Sequence, residues 1–171
     1  MKKLISVFLL TCMFLTITAY ASVPDESKTA EDTEIYGVLS YRINADNTIT
    51  IVGCNKEAAE VDIPAEIDGR SVTGIGDYAF RNCDNLKSVS IPSSVTGIGE
   101  GAFEYCYELS AAAIPYGVKS IEKRTFFGCE SIASVTIPDS VTSIGQSAFY
   151  GCIGLKNVDI PNSVTCIEKY A

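Results

Sequence analysis

The amino-acid sequence predicts a repeat solenoid with a 23-residue period, in which parallel β-strands stack one per repeat, short helical turns join them, and an N-terminal β-hairpin caps the stack. Three observations carry that prediction. Ile75, Ile98, Ile121, Ile144 and Ile167 recur at a constant spacing of 23, and Phe80, Phe103, Phe126 and Phe149 follow in phase. Cys83, Cys106, Cys129 and Cys152 keep the same register, as do Leu86, Leu109, Ile132 and Leu155. An isoleucine and a proline then close each unit, at Ile91-Pro92, Ile114-Pro115, Ile137-Pro138 and Ile160-Pro161. A unit this short cannot bury its apolar face alone, so a fixed period in the twenties implies that each copy packs on its neighbours.

Ahead of the repeats, residues 1–21 have the pattern of an export signal. Lys2 and Lys3 precede an apolar run over Leu4–Ile17, and Ala19 and Ala21 supply small residues before a cleavage point at Ser22. The run is short for a membrane span and ends in a cleavage pattern, so membrane contact is expected only through this segment before its removal. Residues 22–34, SVPDESKTAEDTE, carry five acids and one lysine with almost no bulky apolar group. Such a stretch buries too little surface to offset ordering and reads as an acidic, disordered leader. Over 35–60 the pattern changes: IYGVLSYRI and TITIVGC, separated by NADN at 44–47, are β-branched and aromatic runs of a hairpin, which forms the cap.

The repeats occupy 61–171. In LKSVSIP (86–92) the alternation places Leu86, Val89 and Ile91 inward and Ser88 and Ser90 outward, which makes a short strand able to pair in parallel with its copy one repeat on. Pro92 lacks a donor and ends the ladder. The triplets SSV, YGV, DSV and NSV then reverse the chain. Val95 and Ile98 return to the core, and GEGAFEYC has room for no more than a turn or two of helix. The phenylalanine fills the interior, while Ala79, Ala102, Thr125 and Ala148 keep the neighbouring column small enough for coils to approach.

The unit IGEGAFEYCYELSAAAIPYGVKS (98–120) resembles the BspA-type leucine-rich repeat, LRR_5, of secreted and cell-surface proteins, and the resemblance runs from Val61 to Ala171. The lead-in IPAEIDGRSVTGIG (63–76), with its longer turn after the first proline, is also similar to the entry of such arrays. The resemblance implies a leucine-rich repeat scaffold, secreted or at the cell surface, acting as a non-catalytic protein-binding or adhesion module. Its partner would be a protein of the cell surface or extracellular matrix. A structural spacer within a larger surface protein is the alternative. The last unit, IEKYA (167–171), breaks off where the next phenylalanine is due. The array is therefore expected to continue in a longer chain, or its edge to be covered by a partner, self-association included.

Composition removes several other classes. The chain has no histidine, so Ser-His-Asp and Cys-His catalysis and His-ligated metal sites are unavailable. With 13 basic and 21 acidic residues the formal charge is −8, the opposite of what phosphate neutralisation requires, so no nucleic-acid partner is expected. Gly97-x-Gly99-x-x-Ala102 imitates a dinucleotide-binding turn, yet the same two glycine positions hold Ser120, Ser143 and Cys166, and Glu122 and Glu168, elsewhere in the array. A turn that accepts glutamate needs neither glycine's conformation nor close approach of a pyrophosphate, and no cofactor is expected. A hydrolase using two carboxylates, with Glu100 and Glu122 in nearby turns, is a weaker reading, because acids on an acidic surface are ordinarily solvated.

The cysteine column admits three readings: buried free thiols, disulfides between adjacent coils at the ordinary inter-strand spacing, or a soft-metal site. No paired C-x-x-C turn supports the last. Cys54 and Cys166 fall outside the column and read as the reactive singletons. For binding, the outward strand positions Ser88, Ala111, Ser134 and Asn157, and Ser90, Ala113, Thr136 and Asp159, are small and offer few anchors. Aromatics gather instead at the turns, as Tyr78, Tyr105, Tyr107, Tyr116, Phe127 and Tyr150. Phe127 and Tyr150 share a column, and with Tyr105 they form the candidate protein-binding rim.

Overall fold

A computed structural model describes residues 33–171, so the export signal and nearly all of the acidic leader lie outside the described residues. The cap is more than one hairpin. Strands β1 (Glu34–Tyr36), β2 (Leu39–Ile43) and β3 (Ile49–Cys54) form an antiparallel meander, so the run IYGVLSYRI bends back on itself at Gly37-Val38. Gly37 has φ +58, the backbone that a tight two-residue strand connection demands of its first residue. The second turn uses Asn44, whose carbonyl accepts from the Asn47 amide at 2.9 Å, with Asn47 at φ +65.

Beyond the cap the chain winds in coils, each touching the next along three lines. The first line is the predicted ladder. β4 (Glu60–Asp62) pairs in parallel with β7 (Ser88–Ser90), and β9 (Ala111–Ala113) pairs in parallel with β11 (Ser134–Thr136), each residue facing its copy one repeat away. The alternation puts Val61, Ala112 and Val135 in the core and leaves the flanking positions exposed. The equivalent residues 157–159 form no strand.

A second ladder lies where the isoleucine column returns to the core. β6 (Arg70–Ile75) pairs with β3 on one side and β8 (Gly97–Ile98) on the other, and β10 (Ser120–Ile121), β12 (Ser143–Ile144) and β13 (Cys166–Ile167) continue the series, all in parallel. The cap joins the array through this line, because β3 runs beside β6 with Ile51 opposite Ile75. The longer lead-in is a small antiparallel hairpin, β5 (Glu66–Ile67) against the start of β6.

The third line corrects the expected helical turns. Residues 77–82, 100–105, 123–128 and 146–151 are runs of turns, and no described residue there is helical. Alternate backbone amides reach across to the next coil, as from Tyr78 to the Glu100 carbonyl at 2.9 Å, Phe80 to Ala102 at 2.8 Å and Asn82 to Glu104 at 2.9 Å. The amides between them close turns within the coil, Arg81 to Tyr78 at 3.0 Å for example. Positive φ recurs in two columns, Tyr78, Gly101, Arg124, Ser147 and Tyr170, and Asn82, Tyr105, Gly128 and Gly151. A helix would turn every amide back along its own chain, whereas these left-handed residues turn half of them outward to the neighbouring coil.

Stacked side chains fill the space between the three lines. Phe80, Phe103 and Phe126 are fully buried and Phe149 is half-buried, with successive ring centroids 5.0, 5.4 and 5.6 Å apart and nearly parallel. Ala79, Ala102, Thr125 and Ala148 are buried beside them. Cys83, Cys106, Cys129 and Cys152 form a buried column without disulfides. Three of them share one hydrogen bond: Cys106 Sγ donates to the Phe80 carbonyl, Cys129 to Phe103 and Cys152 to Phe126, each at 3.1 Å. Burial pushes the Cys152 thiol up to about 11 and raises those of Cys106 and Cys129 as well. The last coil leaves Ile160 and Ile167 exposed around a cleft of about 280 Å³ lined also by Phe149, Cys152 and Leu155.

Candidate protein-binding rim

The turn line also carries the aromatics. Tyr105, Phe127 and Tyr150 come from three successive coils, and their rings touch in order. Tyr105 meets Phe127 edge-on at 5.4 Å, and Phe127 stacks on Tyr150 at 5.3 Å with 13° between planes. The file extends at both ends, through Tyr107, 5.8 Å from Tyr105, and Tyr170, 6.5 Å from Tyr150. Tyr105 and Phe127 are half-buried, while Tyr150 is 55 % exposed and Tyr170 69 %. Tyr78 lies on the same turn line but makes none of these ring contacts, and Tyr116 sits in a strand-to-strand reversal apart from them.

Local backbone explains how rings of this size fit between coils one strand spacing apart. Gly128 holds φ +71, and a Cβ there would stand 2.7 Å from the Tyr105 ring; at Gly101 it would stand 2.4 Å from the Tyr78 ring. Each tyrosine thus lies over the bare backbone of the next coil.

Charged groups flank the aromatic file. Glu104 is fully buried between two arginines, with Arg81 Nε 2.9 Å from one carboxylate oxygen and Arg124 Nη1 3.2 Å from the other. These contacts are ion pairs rather than aligned hydrogen bonds, since both carboxylate oxygens lack a hydrogen-bond partner. The pairing holds Arg124 over the Phe127 ring at 4.8 Å and Arg81 over Tyr78 at 5.4 Å, both within cation–π range. Sequence reasoning missed this cluster. Arg81 and Glu104 are one period apart with opposite charges, a signal legible in the sequence, but the column continues as Phe127 and Tyr150 and does not announce itself as ionic.

Glu100 and Glu122, weighed above as a carboxylate pair, are both engaged on the surface. Glu100 accepts from Tyr78 Oη at 2.8 Å and from Lys123 Nζ at 3.0 Å, and Glu122 accepts from Ser120 Oγ. The Lys123 and Tyr78 bonds hold the Glu100 carboxyl below its usual range, away from the raised value that a general acid requires. The outward strand positions from Ser88 to Asp159 are exposed as expected, and Glu60 and Asp62 extend the two columns by one coil.

Comparison with known proteins places this geometry. The model of the BspA type leucine rich repeat region matches six copies over residues 54–171. A leucine-rich repeat protein of Treponema pallidum superimposes with a TM-score of 0.74 at 35% identity, over 78% of this chain and 63% of that one. One from Bacteroides ovatus gives 0.73 at 34% identity over 78% and 37%, and one from Bacteroides capillosus 0.67 at 29% over 81% and 99%. The chain thus spans less than two thirds of the first two relatives. No curated protein sequence matches it. With the repeat register, the coil geometry and the family model in agreement, the chain belongs to the BspA-type leucine-rich repeat family.

Proposed function

We propose that this protein is an exported, non-catalytic binding module that engages a protein of the cell surface or extracellular matrix through its aromatic rim. The observation that carries the reading is the unbroken file from Tyr107 through Tyr105, Phe127 and Tyr150 to Tyr170, flanked by Arg81 and Arg124. Tyrosine and arginine are the residues that dominate protein interfaces, and rings packed on one another keep little freedom to lose on binding. The strand face offers small side chains and a few carboxylates, with no aromatic or arginine, and is the poorer anchor. The amino-terminal export pattern supports a location outside the cell or on its surface.

Because each coil from Tyr105 onward adds a ring to the rim, contacts that are weak singly accumulate in a longer array. Binding is expected to be of low affinity per coil and to rise with coil number. The test immobilises a panel of matrix and cell-surface proteins and measures binding of arrays with different repeat counts, beside a Phe127→Ser, Tyr150→Ser double variant. Loss of binding in the double variant supports the rim. Binding indifferent to both changes sinks it, and no binding at all by a folded array favours the spacer reading.

A further inference from the structure

Cys54 closes strand β3, the last strand of the cap, and Cys83 heads the cysteine column. At Cys83 the rule of the column fails. Cys106, Cys129 and Cys152 each donate to the carbonyl of a phenylalanine one coil back, but what precedes Cys83 is the cap, which has no such phenylalanine. The Cys54 thiol lies beside Cys83 in that place, donating to its neighbour Asn55's carbonyl at 3.4 Å, and the two thiols are near enough to govern each other's proton. Cys54 is therefore no singleton, as its spacing suggests, but the first rung of the column. The segments carrying the two thiols are fastened to each other on either side. Lys56 Nζ donates to the Arg81 carbonyl, Asn85 Nδ2 to Glu57 Oε2 at 3.3 Å, and the Lys87 amide to the Ala59 carbonyl at 2.7 Å. Cys54 is half-buried and within reach of small solutes, whereas Cys83 is sealed behind it.

We propose that Cys54 and Cys83 are an oxidisable pair that closes a disulfide between the cap and the first repeat when the protein meets an oxidising exterior. The co-reactant is a small-molecule disulfide. The first proton to leave the pair comes from Cys83, and Cys54, the reachable sulfur, hands its own to that Cys83 thiolate as it attacks, forming a mixed disulfide and expelling one thiolate. Cys83 then attacks Cys54 Sγ, making the bond between the two cysteines and expelling the second thiolate. Both cysteine sulfurs are oxidised, the external disulfide is reduced, and the two protons end on the two thiols released. The rest of the column does not compete, because burial holds each deeper thiol protonated and no neighbouring thiol lowers it as Cys54 lowers Cys83. At the first rung the hydrogen bond from Cys54, helped by the Lys56 ammonium, lowers the Cys83 thiol instead. This inference does not depend on what the rim binds.

The full chain, purified reduced and kept native in glutathione buffers of increasing oxidised fraction, would be quenched by alkylation and mapped by peptide mass. The expected product is one intramolecular disulfide, about 2 Da lighter than the dithiol, joining Cys54 to Cys83. Cys106, Cys129 and Cys152 would remain free to alkylate after denaturation, while exposed Cys166, outside the column, would carry at most a mixed disulfide with glutathione. The oxidised protein should melt above the reduced one and resist limited proteolysis between the cap and the first coil. Cys54→Ser, which keeps a small polar side chain at a half-buried site, should abolish both shifts while melting like the reduced parent. Cys54 and Cys83 that both stay free in the most oxidising buffer, or an intramolecular disulfide that maps to other sulfurs, would overturn the proposal.

Discussion

Phe103 has a ring on each side, Phe80 at 5.0 Å and Phe126 at 5.4 Å, and no exposed surface of its own. Phe103→Ala removes both contacts and leaves a void that rigid neighbouring coils cannot close. A loss of roughly 3–5 kcal/mol in denaturant unfolding is expected, with adjacent coils loosened as well. The buried thiols add a pH dependence. An exposed thiol titrates near about 8.5, whereas Cys152 is held up to about 11 in the fold, so the unfolded chain loses that proton first as pH rises. Its contribution is complete below about 8.5 and lost between there and 11. A reduced sample scanned by thermal melting across that interval should destabilise, and Cys152→Ser, which can still donate to the Phe126 carbonyl, should flatten the slope relative to the parent. These columns were legible in the sequence because one residue type fills each position in every period. Glu104 was not, since its column passes from arginine to glutamate to aromatic residues and only the folded register brings Arg124 to it.

At the level of elements, the two strand ladders and the turn line differ in how far the sequence disclosed them. The ladder through Val89 and Val135 follows from plain alternation between apolar and small polar residues. The ladder through Ile98 and Ile121 has two-residue strands, too short to show a period, and its isoleucines read only as core. The turn line reads as short helical turns because GEGAFEYC has room for no more than a turn or two of helix. What excludes a helix is the pair of left-handed columns, occupied by tyrosine, arginine, asparagine and serine twice as often as by glycine, so composition conceals them. Substitutions there have predictable signs. Ser147 holds φ +56 at a buried position, and Ser147→Gly should stabilise by up to about 1 kcal/mol in equilibrium unfolding by relieving that strain. Gly128→Ala should act oppositely, costing about 1–2 kcal/mol, and should displace the Tyr105 ring that lies 2.7 Å from the new methyl. Near-ultraviolet circular dichroism would read that displacement cleanly, because the chain has no tryptophan.

Across the whole molecule, the same three lines of hydrogen bonds decide how it answers to a pull. In each of them, strand ladders and turn line alike, the bonds run from coil to coil, along the direction in which the coils are stacked. Tension applied between the two ends therefore loads them head-on, one coil boundary at a time, rather than shearing many together. Each coil that peels away frees 23 residues, about 80 Å of extended chain, in exchange for a single strand spacing. In an optical trap the expected record is a low-force series of evenly spaced steps of about that length, and one abrupt rip of the entire array would contradict it. A protein built this way and anchored at a surface would behave as a line that pays out under load, lengthening in measured increments while its remaining coils stay folded and its hold on a partner is kept.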